Sequence, residues 1–229
     1  MNVYVYVEVT TRELEARLLL GLVAAERGHD VLLGRVDPRR DPAATPPGLF
    51  HDKSLTRGQE MDRQAWLTDA GFRVTSQDEE HYLLQPDFAP FVDHRYEPAA
   101  LERVDRVLTW GPHDHAGIER ARPDHAGLLR MTGSPRVDLW RPEFAQHHAG
   151  ALPDGAAQPF VLFANNVTHL LGMNRFTTML ADKRGKYFDG TDHPLERHWF
   201  DELASQAERL PHLVEAVRGV ATRFPDLTV

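Results

Sequence analysis

The first residues of the chain follow a pattern that predicts a buried strand and then a helix. Valines alternate with tyrosines over residues 2–8, as expected for a strand covered on both faces. Thr10 or Thr11 can cap a helix that ends at Gly28. The apolar residues of that helix recur at helical spacing: Leu14, Leu18, Leu22 and Ala25. A second short strand over residues 29–34 completes a βαβ unit, which predicts a parallel sheet.

The same alternation of strands and helices continues to about residue 133. Short apolar runs and helical periodicity predict strands over 72–75, 104–111 and 128–133, a helix that contains Met61, Ala65 and Trp66, and a helix over 114–122. Four prolines make residues 37–48 an irregular loop. These elements predict an α/β fold over residues 1–150, with a Rossmann-like parallel sheet and flanking helices.

The pattern changes after this first domain. Small and turn-forming residues over 150–155 predict a linker. The apolar run 160–163 predicts a new buried strand, and the apolar spacing over 195–224 predicts helices that Pro211 interrupts.

The end of the chain is unusual, because residues 225–229 have the pattern of a strand that begins where the chain stops. An isolated strand leaves backbone N–H and C=O groups unpaired. We therefore expect residues 158–229 to form only part of a second domain. They should pack back onto the first domain, or complete their sheet with a second copy of the chain or a partner chain, burying more than about 1,000 Å².

The composition limits the classes of function that the protein can have. The 229 residues include 26 basic and 34 acidic side chains, and 41% of the residues are hydrophobic. This fraction is enough for a core, and the acidic balance argues against a general nucleic-acid binder. No stretch approaches the ~20 apolar residues of a membrane span. The absence of cysteine excludes thiolate chemistry and favours a cytoplasmic location.

Charged residues at the predicted strand ends are the first candidates for chemistry, because parallel sheets bind ligands outside the carboxyl ends of their strands. Glu8 ends the first strand and can act as a base, bind a hydroxyl, or accept backbone hydrogen bonds. Asp78, Glu79 and Glu80 follow another strand. Crowding can raise the pKa of one of these carboxyls and suit it to acid–base or nucleophilic work, although a solvated acidic turn has the same sequence.

The turn after the last predicted strand of the first domain is a candidate anion site. Thr132, Gly133 and Ser134 offer backbone N–H groups and hydroxyls, followed by Arg136 and Asp138. The chain has neither GxGxxG nor a Walker pattern, so neither a Rossmann dinucleotide site nor a P-loop is indicated.

Histidines form the remaining candidate clusters. His113, Asp114 and His115 are the densest group, and His147 and His148 are adjacent near the linker. The chain contains no HExxH and no GxSxG, so zincin and nucleophile-elbow chemistry are not indicated. We predict neither a catalytic metal nor a resident cofactor, and a metal hydrolase built on the first cluster is the weakest alternative.

Several segments, taken in order along the chain, are similar to one known family. These segments are Val7 to Val9 with Arg12 to Leu20, Ala24 to His29, Val31 to Gly34, Pro46 to Gly48 with Lys53 to Leu55, Asp78 to Glu80, Thr109 to Gly111, Thr132 to Leu139 with Arg141 to Glu143, and Phe160 to Asn166. Together they resemble bacterial surface carbohydrate biosynthesis proteins, which are glycosyltransferase-like proteins of the GT-B architecture. More distant relatives of that family are glycerophosphotransferases and capsule Kdo transferases.

The resemblance covers nearly the whole chain and implies the N-terminal half of a GT-B architecture plus an incomplete second domain. In GT-B enzymes the donor lies mainly on the C-terminal domain and the acceptor on the N-terminal domain. The family's acidic turn usually continues with glycine, whereas His81 stands there in this chain. The family also continues past the position of Val229, into an Arg-Pro-His-Pro stretch for the donor phosphate. We therefore expect a truncated chain, a natural fragment, or a half-fold with another use.

The implied ligands are a nucleotide-activated sugar and a carbohydrate acceptor, used in surface polysaccharide or glycoconjugate synthesis. The candidate catalytic carboxylates are Asp78, Glu79, Glu80 and Glu8. The strand ends and the resembling segments define the candidate substrate-binding residues as Lys53, Ser54, Trp110, Gly111, Thr132, Gly133, Ser134, Arg136, Asp138, Asn165 and Asn166. A carboxylate can serve as base in an inverting transfer or as nucleophile in a retaining one. The alternative is a non-catalytic module that binds sugar, nucleotide or a partner chain.

Overall fold

The structure is a computed structural model, and the chain forms two compact units, Met1–His147 and His148–Val229. The residues that the structure describes are 1–56, 59–80, 89–149, 159–164 and 194–227.

The first unit is built on a six-stranded sheet in which every strand pairs in parallel with its neighbours. The strands are β1 (Asn2–Tyr6), β2 (Asp30–Gly34), β3 (Leu49–Asp52), β4 (Arg73–Ser76), β5 (Arg106–Thr109) and β6 (Leu129–Met131). Their spatial order is β2-β1-β3-β4-β5-β6. The predicted α/β fold with a Rossmann-like parallel sheet is confirmed.

Helices connect these strands. The α-helices of this unit are α1 (Thr10–Glu26), α2 (Gln59–Asp69), α3 (Ala89–Arg95), α4 (Pro98–Leu101), α5 (Pro112–Ala121), α6 (Pro135–Asp138) and α7 (Ala145–Ala149). Short 3-10 turns occupy Pro38–Arg40, Pro123–Leu128 and Pro142–Phe144. The helix predicted to begin at Asp114 begins two residues earlier, because Pro112 is favourable in the first helical turn.

The sequence analysis missed β3, which lies in the middle of the sheet. Its four residues include two polar ones, His51 and Asp52, so no apolar alternation marks them. The strand forms because both polar side chains find partners inside the protein, as described below. Gly48 precedes the strand, where a Cβ atom would lie 2.4 Å from the backbone oxygen of Asn2, so only glycine fits there.

The core lies on the sheet face opposite α1 and includes Phe50, Leu67, Val74, Leu101 and Ile118, all essentially fully buried. The buried face of α1 is not its leucine stripe, because Leu18 and Leu22 are 47% and 54% exposed. The helix buries instead four other residues: Glu13, Ala16, Arg17 and Gly21. Two charged side chains on that face require ionic partners in the protein, and they find them at one edge of the sheet.

The described part of the second unit is mainly one long helix, α8 (Pro194–Arg223). The expectation that Pro211 interrupts the helix is wrong, because α8 continues through it; proline removes only one backbone hydrogen bond there. The predicted strand 160–163 is reduced to a single bridge residue, Phe160, and Leu162 is 80% exposed, so no buried face supports a strand. No described helix of the chain is long and apolar enough to cross a membrane.

The predicted strand at the end of the chain does not begin in the described residues. Residues 225–227 form a turn after α8, in which the Leu227 N–H donates to the Phe224 oxygen at 3.1 Å. Residues 228 and 229 lie outside the described residues.

Candidate functional site

The strand order reverses direction next to β1, and this reversal indicates where a ligand site is expected. The chain passes from β1 outward to β2 and then returns to β3 on the other side of β1. Helices that leave neighbouring strands in opposite directions open a crevice at the carboxyl edge of such a sheet. The candidate residues Glu8, Lys53 and Asp78 follow β1, β3 and β4, so the fold brings them to this edge, which we call the carboxyl edge.

Asp78 is the most unusual carboxylate at the carboxyl edge. Only 4% of its surface is exposed, and burial raises its pKa to about 6, although Arg95 opposes the shift. Its Oδ1 accepts the Glu80 N–H at 2.8 Å and lies 3.4 Å from Arg95. Its Oδ2 has no hydrogen-bond partner in the part of the chain that the structure describes. The Trp110 indole N–H donates to the Asp78 backbone oxygen at 2.8 Å, which holds this residue in place.

Glu79 is held between two arginines from different helices. Arg17 of α1 lies 2.7 Å from Oε1, and Arg136 of α6 lies 2.5 Å from Oε2. Arg136 also donates to the Glu79 backbone oxygen at 3.2 Å. Arg17 is 1% exposed and donates to the Gln77 oxygen at 3.4 Å. This cluster ties α1 and α6 to the end of β4.

Glu80 is the most exposed carboxylate of the acidic turn. Arg12 contacts its Oε1 at 2.9 Å, and Arg95 contacts its Oε2. Burial raises the pKa of Glu80, but the two arginines outweigh it and the net shift is downward. Arg95 thus stands between Asp78 and Glu80, and Glu80 remains ionised at neutral pH.

Glu8 forms an ion pair with Lys53, which joins the ends of β1 and β3. The loop after β1 is shaped by Glu13, whose Oε2 accepts the N–H groups of Glu8 at 2.7 Å and Val9 at 3.3 Å. Arg12 pairs with the same carboxylate at 2.9 Å. The predicted threonine cap of α1 is not formed, because the residue at the N-cap position is Val9 and no side chain there makes a capping bond.

Below the edge, a second buried network supports β3. Asp52 accepts from Arg63 at 2.6 Å and from the Gln64 amide at 3.3 Å, and Gln64 also donates to the Ser54 oxygen at 3.1 Å. His51 meets Thr75 on β4 at 2.9 Å. Burial, with a contribution from Arg17, lowers the pKa of His51 well below its ordinary value, so this imidazole is neutral at physiological pH.

The candidates after β5 are fixed by Asp114. Its carboxylate accepts the backbone N–H groups of Trp110 at 2.7 Å and Gly111 at 2.8 Å, which caps α5. His115 contacts Thr109 at 3.1 Å. The candidate metal cluster around Asp114 is therefore engaged in capping and strand contacts, and its side chains do not converge in a metal-ligand geometry. His147, the other histidine of interest in this unit, is an exposed partner of Glu15 at 3.6 Å.

The candidate anion turn after β6 is also internally bonded. The N–H groups of Thr132 and Gly133 both donate to the Thr109 oxygen, at 3.1 and 3.2 Å. The Gly133 oxygen accepts from the Gln77 amide at 2.6 Å. Asp138 pairs with Arg141 at 2.7 Å. Asn165 and Asn166 lie outside the described residues.

Sequence reasoning included Lys53 and Arg136 among the candidates but gave no role to three other cations of the site, Arg12, Arg17 and Arg95. Arg12 and Arg17 come from α1, far from the acidic turn along the chain, and Arg95 comes from α3. One signal was available for Arg17, which shares a helix face with the small residues Ala16 and Gly21 and with the acidic Glu13. A charged residue between small residues on a helix indicates a buried ionic partner.

No family model, no curated protein and no solved structure matches this chain.

Proposed function

We propose that the protein is a glycosyltransferase-like protein of surface polysaccharide or glycoconjugate biosynthesis that uses a nucleotide-activated sugar. The carboxyl edge is the place of the carbohydrate acceptor, and Asp78 is the general base. The observation that carries this proposal is the Asp78 carboxyl, which is buried at the carboxyl edge just after β4, has one oxygen without a hydrogen-bond partner among the described residues, and has a pKa raised to about 6.

Asp78 suits this role better than the other three candidate carboxylates. Glu8 is paired with Lys53, and Glu79 and Glu80 each have both carboxylate oxygens in contact with arginines. Asp78 meets a cation through Oδ1 alone, which lies 3.4 Å from Arg95. A general base works best when its pKa lies near the operating pH, because it is then ionised and still accepts a proton readily. Asp78 meets this condition, and none of the described residues donates a competing hydrogen bond to its Oδ2.

The proposed step is a displacement at the anomeric carbon. The acceptor O–H gives its proton to Oδ2 of Asp78 while its oxygen forms the new glycosidic bond. The bond between the anomeric carbon and the phosphate oxygen breaks, and the nucleoside diphosphate leaves with the electron pair. The resemblance assigns the donor phosphates to the second domain, so the first unit binds the acceptor and supplies the base.

The test is release of nucleotide from a panel of nucleotide sugars with carbohydrate acceptors, using the full chain. Asp78→Asn keeps the shape of the side chain and should lower turnover by about 10²–10⁴-fold. Asp105→Asn removes a carboxylate from the opposite edge of the sheet and serves as the matched control, with turnover within about twofold of the parent. Unchanged turnover in Asp78→Asn would remove this residue from the mechanism.

The same panel tests the non-catalytic alternative when calorimetric titrations accompany it. Binding of sugar or nucleotide without turnover by the parent chain would assign a binding module instead of an enzyme.

A further inference from the structure

The charges at the carboxyl edge balance each other among the described residues. Five cationic side chains form ion pairs with five carboxylates. The cations are Arg12, Arg17, Lys53, Arg95 and Arg136, and the carboxylates are Glu8, Glu13, Asp78, Glu79 and Glu80. Asp114 beside this group adds a further negative charge that caps α5. The described part of the edge therefore has no excess positive charge for an anion.

An anionic ligand would have to compete with carboxylates that are already in place. A phosphate at Arg136 would displace Glu79, and one at Lys53 would displace Glu8. The displaced carboxylate would then be partly buried without a partner, which is costly. The Thr132 and Gly133 N–H groups of the candidate anion turn do not compensate, because both are bound to the Thr109 oxygen.

The unpartnered atoms at the edge are of both kinds, donors and an acceptor. The nitrogen atoms without a partner in the described chain are Arg12 Nε, Arg17 Nε, Arg17 Nη1 and Arg136 Nε. The acceptor without a partner is Oδ2 of Asp78. Arg17 and Asp78 are each more than nine-tenths buried, where almost all polar groups have a partner. A complementary ligand must therefore offer both acceptors and donors.

Hydroxyl groups meet this requirement, since each one donates one hydrogen bond and accepts two. Fully ionised phosphate and carboxylate groups offer acceptors only, and they would repel Asp78. Resting on the proposed function, we infer that the carboxyl edge binds the uncharged, hydroxyl-bearing part of a carbohydrate, and that it selects against phosphate and carboxylate groups at that position.

The test uses three matched sets of sugars, with gluco, galacto and manno configurations. Each set contains a neutral methyl glycoside, the uronate and the 6-phosphate, and binding to the full chain is followed by NMR. The reporters are the Trp110 indole N–H and the side-chain Hε of Arg17 and Arg136. In at least one set the neutral sugar should shift these signals and bind at least tenfold more tightly than both anionic members, with little effect of added salt. Tighter binding of the anionic members, or no shift with any sugar, would overturn the inference.

A charge variant sharpens the test. Glu80→Gln removes one negative charge and releases Arg12 and Arg95, so the ratio of 6-phosphate affinity to neutral-sugar affinity should rise by about three- to tenfold. Asp105→Asn makes the same change in net charge at the opposite edge and should leave both affinities unchanged. Equal gains in the two variants would show that net charge, and not the carboxyl edge, controls binding.

Failure of this inference and failure of the proposed function give different results. Neutral sugar binding without nucleotide release contradicts the transferase and leaves the ligand class intact. Nucleotide release with an acceptor that binds through a phosphate contradicts the ligand class and leaves the transferase intact.

Discussion

The two edges of the same sheet use charged residues in opposite ways. The edge opposite the carboxyl edge, where the strands begin, is called the amino edge. There Arg73 and Asp105 form an ion pair at 3.0 Å with side chains 68% and 32% exposed. At the carboxyl edge, Arg17 and Glu79 form an ion pair at 2.7 Å with side chains 1% and 7% exposed. The chemistry of the two pairs is the same, but only the second pair has been removed from water.

This difference supports the proposal that the carboxyl edge is a functional site. Burying paired charges costs about as much desolvation energy as their attraction returns, so apolar residues would stabilise the fold equally well. Concentrations of buried, paired charges with a raised carboxyl pKa are typical of functional sites. The exposed pair at the amino edge requires no such explanation, since surface ion pairs are common and weak.

The largest expected effect comes from breaking the buried pair. Arg17→Met leaves Glu79 with only Arg136, and we expect a loss of about 3–5 kcal/mol in the free energy of unfolding. Arg73→Met at the amino edge should lose less than about 1 kcal/mol. Urea unfolding followed by tryptophan fluorescence measures both. Equal losses would mean that burial does not distinguish the two edges.

The next effect concerns Asp78 and pH. Its carboxyl has a folded-state pKa of about 6 and an ordinary value of 3.8, so between these values the folded state holds more protons than the unfolded state. Stability from this group is thus present below about pH 4 and is lost as the pH rises through 6. The free energy of unfolding of Asp78→Asn, relative to that of the parent, should therefore rise by about 3 kcal/mol as the pH increases from 4 to 7.5. The comparison is made by urea unfolding at each pH.

A flat difference between Asp78→Asn and the parent across this range would show that the Asp78 carboxyl is not destabilised by burial. Asp105→Asn makes the same substitution at the amino edge and serves as the control.

The smallest effect tests whether the carboxyl edge is uniform. The Glu80 side chain is 52% exposed, so water screens its pairs with Arg12 and Arg95. Glu80→Gln should change the free energy of unfolding by less than about 1 kcal/mol at neutral pH, similar to Asp105→Asn. A loss near that of Arg17→Met would place Glu80 in the buried network.

Prediction from sequence succeeded where a pattern was local and repeated. The alternation over β1, the helix that follows it and the turn residues between elements were sufficient to predict a parallel α/β sheet. It failed for β3, because His51 and Asp52 are stabilised inside the sheet by Thr75 and Arg63, which are distant in sequence. It also failed for Pro211, because a long amphipathic helix tolerates the loss of one hydrogen bond.

The sequence by itself determined the fold class of the first unit and the acidic turn at the end of a strand, because hydrophobic periodicity and strand ends are properties of neighbouring residues. Only the tertiary structure decided that Glu79 pairs with Arg17 and Arg136, and that Glu80 pairs with Arg12 and Arg95. It also decided that one oxygen of Asp78 has no hydrogen-bond partner among the described residues. The physical reason is that burial and pairing set the protonation and freedom of a carboxyl group, and both depend on which side chains the folded chain brings beside it.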